Sequence, residues 1–283
     1  MAAASSTSPE RTYRYLRLGV VATVVVIFVA VLVAAGRVGW LTALSDYYYT
    51  PARNAFVGAL IAVSLALLVL SGRGVDRALL DGAAVFGPLI ALVPTTVVPG
   101  TIPGVDVACA SRCLPPEAIE AAADGVITYL IVGALVVLTA LILIVRGQVP
   151  AAGVRVSLIG SAGVLVVVAV CWLAARDAFL AQGHFVATVV FFALFALVAI
   201  RNSFPSRLSP PRRRYRVAYS LIAGLLLLVL VVYVVSAVGA GDAAAPSLLF
   251  AESAALALFS AFWLVQTVEK WRQSDPAVLP ARS

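Results

Sequence analysis

The sequence predicts an all-α membrane protein: one bundle of about eight transmembrane helices with both termini in the cytoplasm. Hydrophobic residues make up 63% of the 283 residues and charged residues only 12%, whereas a soluble globular protein is about half apolar and a quarter charged. The mean hydropathy is +1.06. A soluble fold of this composition could not cover its apolar surface with polar side chains, so we exclude one.

Apolar runs of about 20 residues, the length that crosses a bilayer, alternate with polar segments along the chain. The first run follows a basic leader, residues 1–17. It could be a signal peptide, because Val33-Ala34-Ala35 resembles a small-residue cleavage site. The run is longer than the apolar part of a signal peptide, so we expect a retained helix. The bundle is expected to occupy residues 18–268 and a cytoplasmic tail residues 269–283. The predicted helices are 18–36, 55–71, 79–98, 125–145, 156–175, 185–200, 217–238 and 248–268.

The distribution of positive charge predicts the orientation. With the N-terminus inside and eight crossings, 16 of the 20 Lys and Arg residues fall on the cytoplasmic side, as the positive-inside rule requires. A seven- or nine-helix arrangement would break this alternation. The four outer residues are Arg37, Arg53, Arg112 and Arg176.

The net charge of +7 and the pI near 9.7 do not indicate nucleic-acid binding here, because the arginines lie between apolar runs. The inner loop 201–216 holds six arginines and no acid. Besides fixing the topology, such a cluster attracts anionic lipid head groups at the cytoplasmic face. The residues expected to make these contacts are Arg212, Arg213, Arg214 and Arg216. Abundant Ala, Val and Arg are typical of a GC-rich bacterium, so we expect a bacterial inner-membrane protein.

Cys109 and Cys113 lie in the longest predicted outer loop, where an oxidising environment favours a disulfide. The alternative is a metal site, but two thiols are half of a tetrahedral zinc set and no histidine lies nearby. We predict neither a metal nor a cofactor. Cys171, inside the fifth helix, is expected to be a small apolar packing residue.

The segment 44–54, just before the second helix, carries the most informative polar pattern. Thr50 fits a helix N-cap and Pro51 the first helical position, which puts Arg53 at the positive end of the helix dipole. A cation there needs an anionic partner. The three tyrosines at 47–49 are typical of the interfacial aromatic belt.

Glu252 lies about a turn and a half inside the eighth helix, and an intramembrane carboxylate is by default a functional hypothesis with a partner. We expect that partner to be Arg53, with Asp46 and His184 in the same cluster. His184 is the only histidine, and a lone interfacial histidine is more often structural than catalytic. The candidate ligand-binding residues are Asp46, Tyr47, Tyr48, Tyr49, Arg53, Asn54, Asp177, His184 and Glu252.

Residues 45–58 resemble a segment found in a family of uncharacterised bacterial polytopic membrane proteins, Ser-x-Tyr-Tyr-His-Thr-x-x-Arg-Asp-x-Phe-Val-Gly. Tyr49 replaces the family's histidine and Asn54 its aspartate. His184 with the paired phenylalanines at 191–192 resembles a later helix of that family. A more distant likeness is to membrane hydrolases of the alkaline ceramidase type, but a chain with one histidine cannot build their three-histidine zinc site.

The sequence favours a membrane protein that binds a lipid head group or small ligand at its outer side, and it leaves the catalytic residues unknown. A solute or proton-coupled transporter is one alternative, because Pro88 and Pro94 predict a broken third helix. A membrane enzyme acting on lipid head groups is another, with Ser45, Asp46, His184 and Glu252 as its possible acid, base or nucleophile. A structural or assembly subunit is the third.

Overall fold

The computed structural model describes residues 8–72, 74–107, 109–204, 213–240 and 246–271. These residues form eight α-helices and one short 3₁₀-helix, η1 (Ser45–Tyr49), with no strand beyond an isolated bridge between Val97 and Cys113. The α-helices are α1 (Ser8–Val38), α2 (Arg53–Leu70), α3 (Gly74–Leu92), α4 (Pro116–Val145), α5 (Ala151–Ala174), α6 (Arg176–Ser203), α7 (Arg213–Ala240) and α8 (Ser247–Glu269).

Seven of these eight helices are long and apolar enough to cross a membrane, and the protein is therefore a multi-pass membrane protein. The remaining helix, α3, carries Asp76, Arg77 and Asp81 in its first two turns. It packs against α2, α4, α5 and α6, so its surface meets protein rather than lipid. The predicted all-α bundle of about eight helices is confirmed.

Six helices form a closed ring in the order α1, α2, α3, α6, α7, α8, and the α4–α5 hairpin packs outside the ring against α3. The contact between α2 and α3 is close because Gly87 faces Ser64, whose hydroxyl would lie 2.1 Å from a Cβ at Gly87. Small residues permit such approaches between membrane helices. Inside the ring, α6, α7 and α8 contribute a layer of buried aromatic side chains: Phe191, Phe195, Tyr219, Phe259, Phe262 and Trp263.

Contacts between helix ends show that the chain alternates direction. The Arg14 side chain donates to the Trp271 carbonyl oxygen over 2.8 Å, joining the start of α1 to the end of α8. Arg201, near the end of α6, pairs with Asp76 at the start of α3. We call the end of the bundle that holds these two contacts the termini end. At the other end, here the cavity end, the Leu249 amide donates to the Thr42 carbonyl over 3.0 Å.

Several predicted boundaries need correction. α1 begins at Ser8, so the described part of the basic leader is already helical. α3 ends at Leu92 rather than at residue 98, because Pro94 cannot continue a helix. The predicted break is therefore a helix end, and only Pro88 lies inside α3. α2 begins at Arg53, two residues later than an N-cap at Thr50 would imply.

Candidate functional site

The cavity end is organised by the short helix η1, which places Ser45 and Asp46 inside the protein. One oxygen of the Asp46 carboxylate accepts hydrogen bonds from the Thr42 hydroxyl, at 2.8 Å, and from the Ala43 amide, at 3.0 Å. Burial raises the pKa of Asp46, and these two hydrogen bonds together with the charge of Arg112 oppose that shift. Asp46 is thus the local anchor of the 42–46 turn.

The tyrosines of η1 fasten this segment to its neighbours. The Tyr47 hydroxyl donates to the Gly39 carbonyl, at 3.2 Å, and accepts from the Leu41 amide, at 3.3 Å. The Tyr49 hydroxyl donates to the Thr95 carbonyl over 2.5 Å. These side chains pack within the protein, so their role in the structure is to hold the segments 39–50 and 93–98 together.

Glu252 on α8 is bonded to Ser45 at two points. The Ser45 amide donates to Oε2 over 3.0 Å, and the Ser45 hydroxyl donates to Oε1 over 2.9 Å. A carboxylate oxygen has more than one lone pair, so each oxygen can still accept a further hydrogen bond. The contact fixes η1 on α8 and leaves Glu252 bonded by uncharged donors.

The predicted pair between Arg53 and Glu252 is wrong. Arg53 is exposed, and its guanidinium donates to the Tyr48 hydroxyl, at 2.7 Å, and lies 4.4 Å from the centre of the Tyr48 ring. A ring face and a hydroxyl offset the unfavourable helix dipole without a carboxylate. Glu252 meets Ser45 instead, because η1 lies between α8 and the start of α2.

His184 on α6 completes the group. Its Nδ1 lies 2.8 Å from the carbonyl oxygen of Val93, which follows the last residue of α3. A carbonyl oxygen only accepts, so Nδ1 carries the proton in this contact. His184 thus caps an orphan carbonyl at the end of α3.

Ser45, Asp46, His184 and Glu252 all line one cavity of about 430 Å³ at the cavity end. That volume is within the usual range of small-molecule sites. Of the nine predicted residues, Asp46, His184 and Glu252 line it, whereas Asn54 and Asp177 are exposed elsewhere and the tyrosines and Arg53 hold the surrounding segments. The other polar lining residues are Thr42, Thr95, Thr96, Arg112, Gln182 and Tyr233.

Ser45, His184 and Glu252 also line a smaller apolar space of about 50 Å³ beneath this cavity. Its other walls include Phe56, Phe191 and Phe259. The three polar residues therefore form the boundary between the polar cavity and the apolar interior of the ring.

Arg112 lies in the loop between α3 and α4 and lines the cavity. A disulfide between Cys109 and Cys113 constrains this loop. The sulfurs of Cys109 and Cys113 lie at bonding distance, confirming the predicted disulfide. Cys113 also pairs with Val97 through two backbone hydrogen bonds of 2.8 and 3.1 Å. Arg112, between the cysteines, donates to the Thr96 carbonyl over 3.1 Å.

Sequence reasoning missed Arg112, Gln182 and Tyr233. Gln182 could have been found by its position two residues before His184. Tyr233 and Ser236 are the two polar side chains in the outer half of the apolar run 217–238. A polar side chain in an apolar run is a signal that could have identified Tyr233. Arg112 offered none, because its position depends on the fold of the loop.

Other predicted positions are not part of this site. Arg212 lies outside the described residues, and Arg213, Arg214 and Arg216 begin α7 at the termini end, where their contact with anionic lipid stays a prediction. Cys171 is exposed on α5 rather than buried in protein. Within the described residues, no three His, Cys, Asp or Glu side chains are grouped so as to hold a metal ion.

Comparison with known proteins does not add an assignment: no family model, no curated protein and no solved structure matches this chain. The resemblance of residues 45–58 to a family of bacterial membrane proteins therefore stays a prediction. The cavity itself carries the functional argument.

Proposed function

We propose that the protein is an inner-membrane protein of a bacterium that binds a zwitterionic head group, an ammonium beside a phosphate, in the cavity. The supporting observation is the set of charges lining it: two carboxylates, Asp46 and Glu252, and one guanidinium, Arg112. Such a cavity suits a ligand that carries both signs of charge.

The ammonium is assigned to Glu252. The amide and the hydroxyl of Ser45, an uncharged residue, both donate to it, and no ion pair among the described residues includes it. A primary ammonium has three N–H donors and can reach the remaining lone pairs of the carboxylate. Hydrogen bonds to a charged group contribute about 1.5–3 kcal/mol, roughly a 10- to 100-fold gain in affinity.

The phosphate is assigned to Arg112, whose planar guanidinium matches phosphate oxygens. Arg112 lines the cavity and donates to the Thr96 carbonyl through Nη1, and a guanidinium has five N–H donors. Thr42, Thr95 and Thr96 line the same cavity and add polar surface.

The test compares binding of dioleoylphosphatidylethanolamine and dioleoylphosphatidylcholine to the purified protein in detergent, by native mass spectrometry. The two lipids share a phosphate and chains, but the quaternary ammonium of choline has no N–H. We expect the ethanolamine lipid to bind about ten-fold more tightly, and Glu252→Gln to remove that preference. Equal affinities for the wild-type protein would overturn the proposal.

Glu117→Gln is the matched control. Glu117 is also a glutamate at the cavity end, in the first turn of α4, but it is exposed and does not line the cavity. Its variant should keep the full preference for ethanolamine. If it also loses the preference, general surface charge rather than the cavity selects the lipid.

A second candidate is covalent chemistry on the bound head group, favoured by one contact. The Ser45 hydroxyl donates to the Glu252 carboxylate in a cavity that also holds His184, and a serine bonded to a general base is the usual arrangement of a nucleophile. A fluorophosphonate probe should then label wild-type protein but not Ser45→Ala. Wild-type protein that stays unlabelled would remove this candidate.

A further inference from the structure

A second large cavity lies outside the ring, between α5 and α6. It has a volume of about 660 Å³, and α3 forms its floor through Phe86 and Leu89. The side chains that line it are apolar or small, apart from Gln182 and the thiol of Cys171. We call this cavity the α5–α6 cleft.

The cleft exists because α5 and α6 are joined by one residue and then diverge. Ala175 lies between them with φ −147° and ψ 51°. On the α5 side, a Cβ built at Gly160 or Gly163 would meet no atom within 4 Å. Val168 is the only buried residue of α5, so this helix is held at a distance from α6 over most of its length.

Gln182 lines both the cleft and the polar cavity. The two spaces lie on opposite sides of the first turns of α6: Ala181 and His184 face the polar cavity, whereas Gly183 and Ala187 face the cleft. A molecule bound in the cavity can therefore continue over α6 at Gln182 and enter apolar surroundings.

The cleft is long enough to cover the full depth of one leaflet. Its lining on α5 runs from Gly160 to Cys171 and on to Ala175, which at 1.5 Å per residue is roughly 22 Å. The hydrocarbon core of a bilayer is about 30 Å thick, so a chain that starts at the cavity end spans its own leaflet within the cleft.

We propose that the α5–α6 cleft holds a hydrocarbon chain of the same amphiphile whose head group occupies the cavity. The inference rests on the proposed head-group function and narrows it: the ligand is a membrane lipid that enters sideways from the bilayer, not a soluble phosphate ester of an amino alcohol. The apolar space beneath Glu252, at about 50 Å³, is too small for such a chain.

The test is photo-crosslinking with a phosphatidylethanolamine that carries a diazirine near the end of one acyl chain. Wild-type protein is placed in nanodiscs of dioleoylphosphatidylcholine with a small fraction of the probe, and crosslinked residues are mapped by mass spectrometry. We expect the crosslinks to concentrate on residues 160–171 and 183–190. Crosslinks spread over the lipid-facing sides of α4 and α7 instead would overturn the inference.

Gly163→Phe fills the cleft where the structure has room for a side chain, and it should lower this crosslinking about ten-fold. Gly224→Phe is the matched control, since a Cβ there also meets no atom within 4 Å but Gly224 lies on α7, away from the cleft. Its crosslinking should equal that of the wild type. Equal crosslinking of the cleft in Gly163→Phe would contradict the proposal.

Glu252→Gln separates the two proposals. If this variant loses the preference for ethanolamine and the crosslinks in the cleft together, head group and chain belong to one bound lipid. If the preference is lost but the cleft is labelled as before, the cleft is an ordinary lipid groove and only the inference about the chain fails. If wild-type protein shows no preference at all, the proposed head-group function fails by its own measurement.

Discussion

The two ends of the bundle compensate their charges in different ways. At the termini end, Asp76 pairs with Arg201 at 2.5 Å and Asp81 lies 3.5 Å from Arg77 within the same helix. At the cavity end, the hydrogen bonds that Glu252 and Asp46 accept come from uncharged hydroxyl and amide groups, and the charge of Arg112 acts on Asp46.

This difference distinguishes carboxylates that are paired within the protein from a carboxylate that can bind a charged ligand. Asp76 and Asp81 each have a cation of the same chain beside them, so they need no further partner. Glu252 is oriented by Ser45, no ion pair among the described residues includes it, and it borders a cavity. A carboxylate that is oriented but not neutralised is the arrangement expected of a binding site, because the ligand supplies the missing charge.

The largest expected effect concerns which end faces the cytoplasm. In a Cys-free background, a cysteine at Gln148, in the exposed loop between α4 and α5, should react only with reagent applied from the cytoplasm. A cysteine at Asp106, in the loop at the cavity end, should react only from outside. Labelling of the two positions from the reversed sides of intact cells would invert the predicted orientation.

The next effect tests the contact between Ser45 and Glu252. Glu252→Ala leaves two Ser45 donors without an acceptor, which should cost about 2–5 kcal/mol of unfolding free energy, measured as a lower Tm in detergent. Glu252→Gln keeps an acceptor oxygen and should cost less.

A double-mutant cycle then distinguishes the two possible partners. Ser45→Ala and Glu252→Gln should couple by about 1 kcal/mol or more, whereas Arg53→Ala and Glu252→Gln should be additive within about 0.5 kcal/mol. Strong coupling to Arg53 would restore the ion pair that the structure does not form.

Lys270 follows α8 at the termini end, where burial, with Arg17 nearby, lowers its pKa to about 8. The unfolded chain holds this proton up to about pH 10.4, so between pH 8 and 10 it binds more protons than the folded protein does. Stability should therefore rise with pH in this window, by at most about 3 kcal/mol.

The check is the difference in Tm between wild-type protein and Lys270→Met across pH 7–10. Lys270 is the only lysine, so this difference isolates its titration from that of the tyrosines. The wild type should gain on the variant as the pH rises from 8. A constant difference would mean that Lys270 titrates normally.

The smallest effect is expected for the pair between Asp76 and Arg201. Their side chains are 40% and 46% exposed, and exposed ion pairs contribute about 0.2–1 kcal/mol. Asp76→Asn should lower stability by no more than that, and the loss should vanish at about 1 M salt, where the Debye length falls to about 3 Å. A salt-independent loss would assign Asp76 a different role.

The bundle could be predicted from the sequence because crossing a bilayer needs long apolar helices, and these are visible in composition alone. The depth of Glu252 and the position of His184 followed from the same helices, so their convergence could be predicted too. The partner of Glu252 could not be predicted, because Ser45 contacts it from η1. A 3₁₀-helix of five residues is too short to show a periodic pattern of apolar residues in the sequence. Arg112 depends on a loop fold in the same way.

The aromatic layer beneath the cavity also has an electrical consequence. Phe195, Phe259 and Phe262 are buried, and the side-chain ring centres of Phe259 and Phe262 lie 4.5 and 4.9 Å from that of Phe195. This part of the helix bundle therefore has low polarity and acts as an electrical insulator. Most of a transmembrane voltage, which is about 2.3 kcal/mol per charge at 100 mV, falls across that layer. Charged groups above it, in the cavity, stay near the potential of the solution they face, and membrane voltage should barely alter the occupancy of the site.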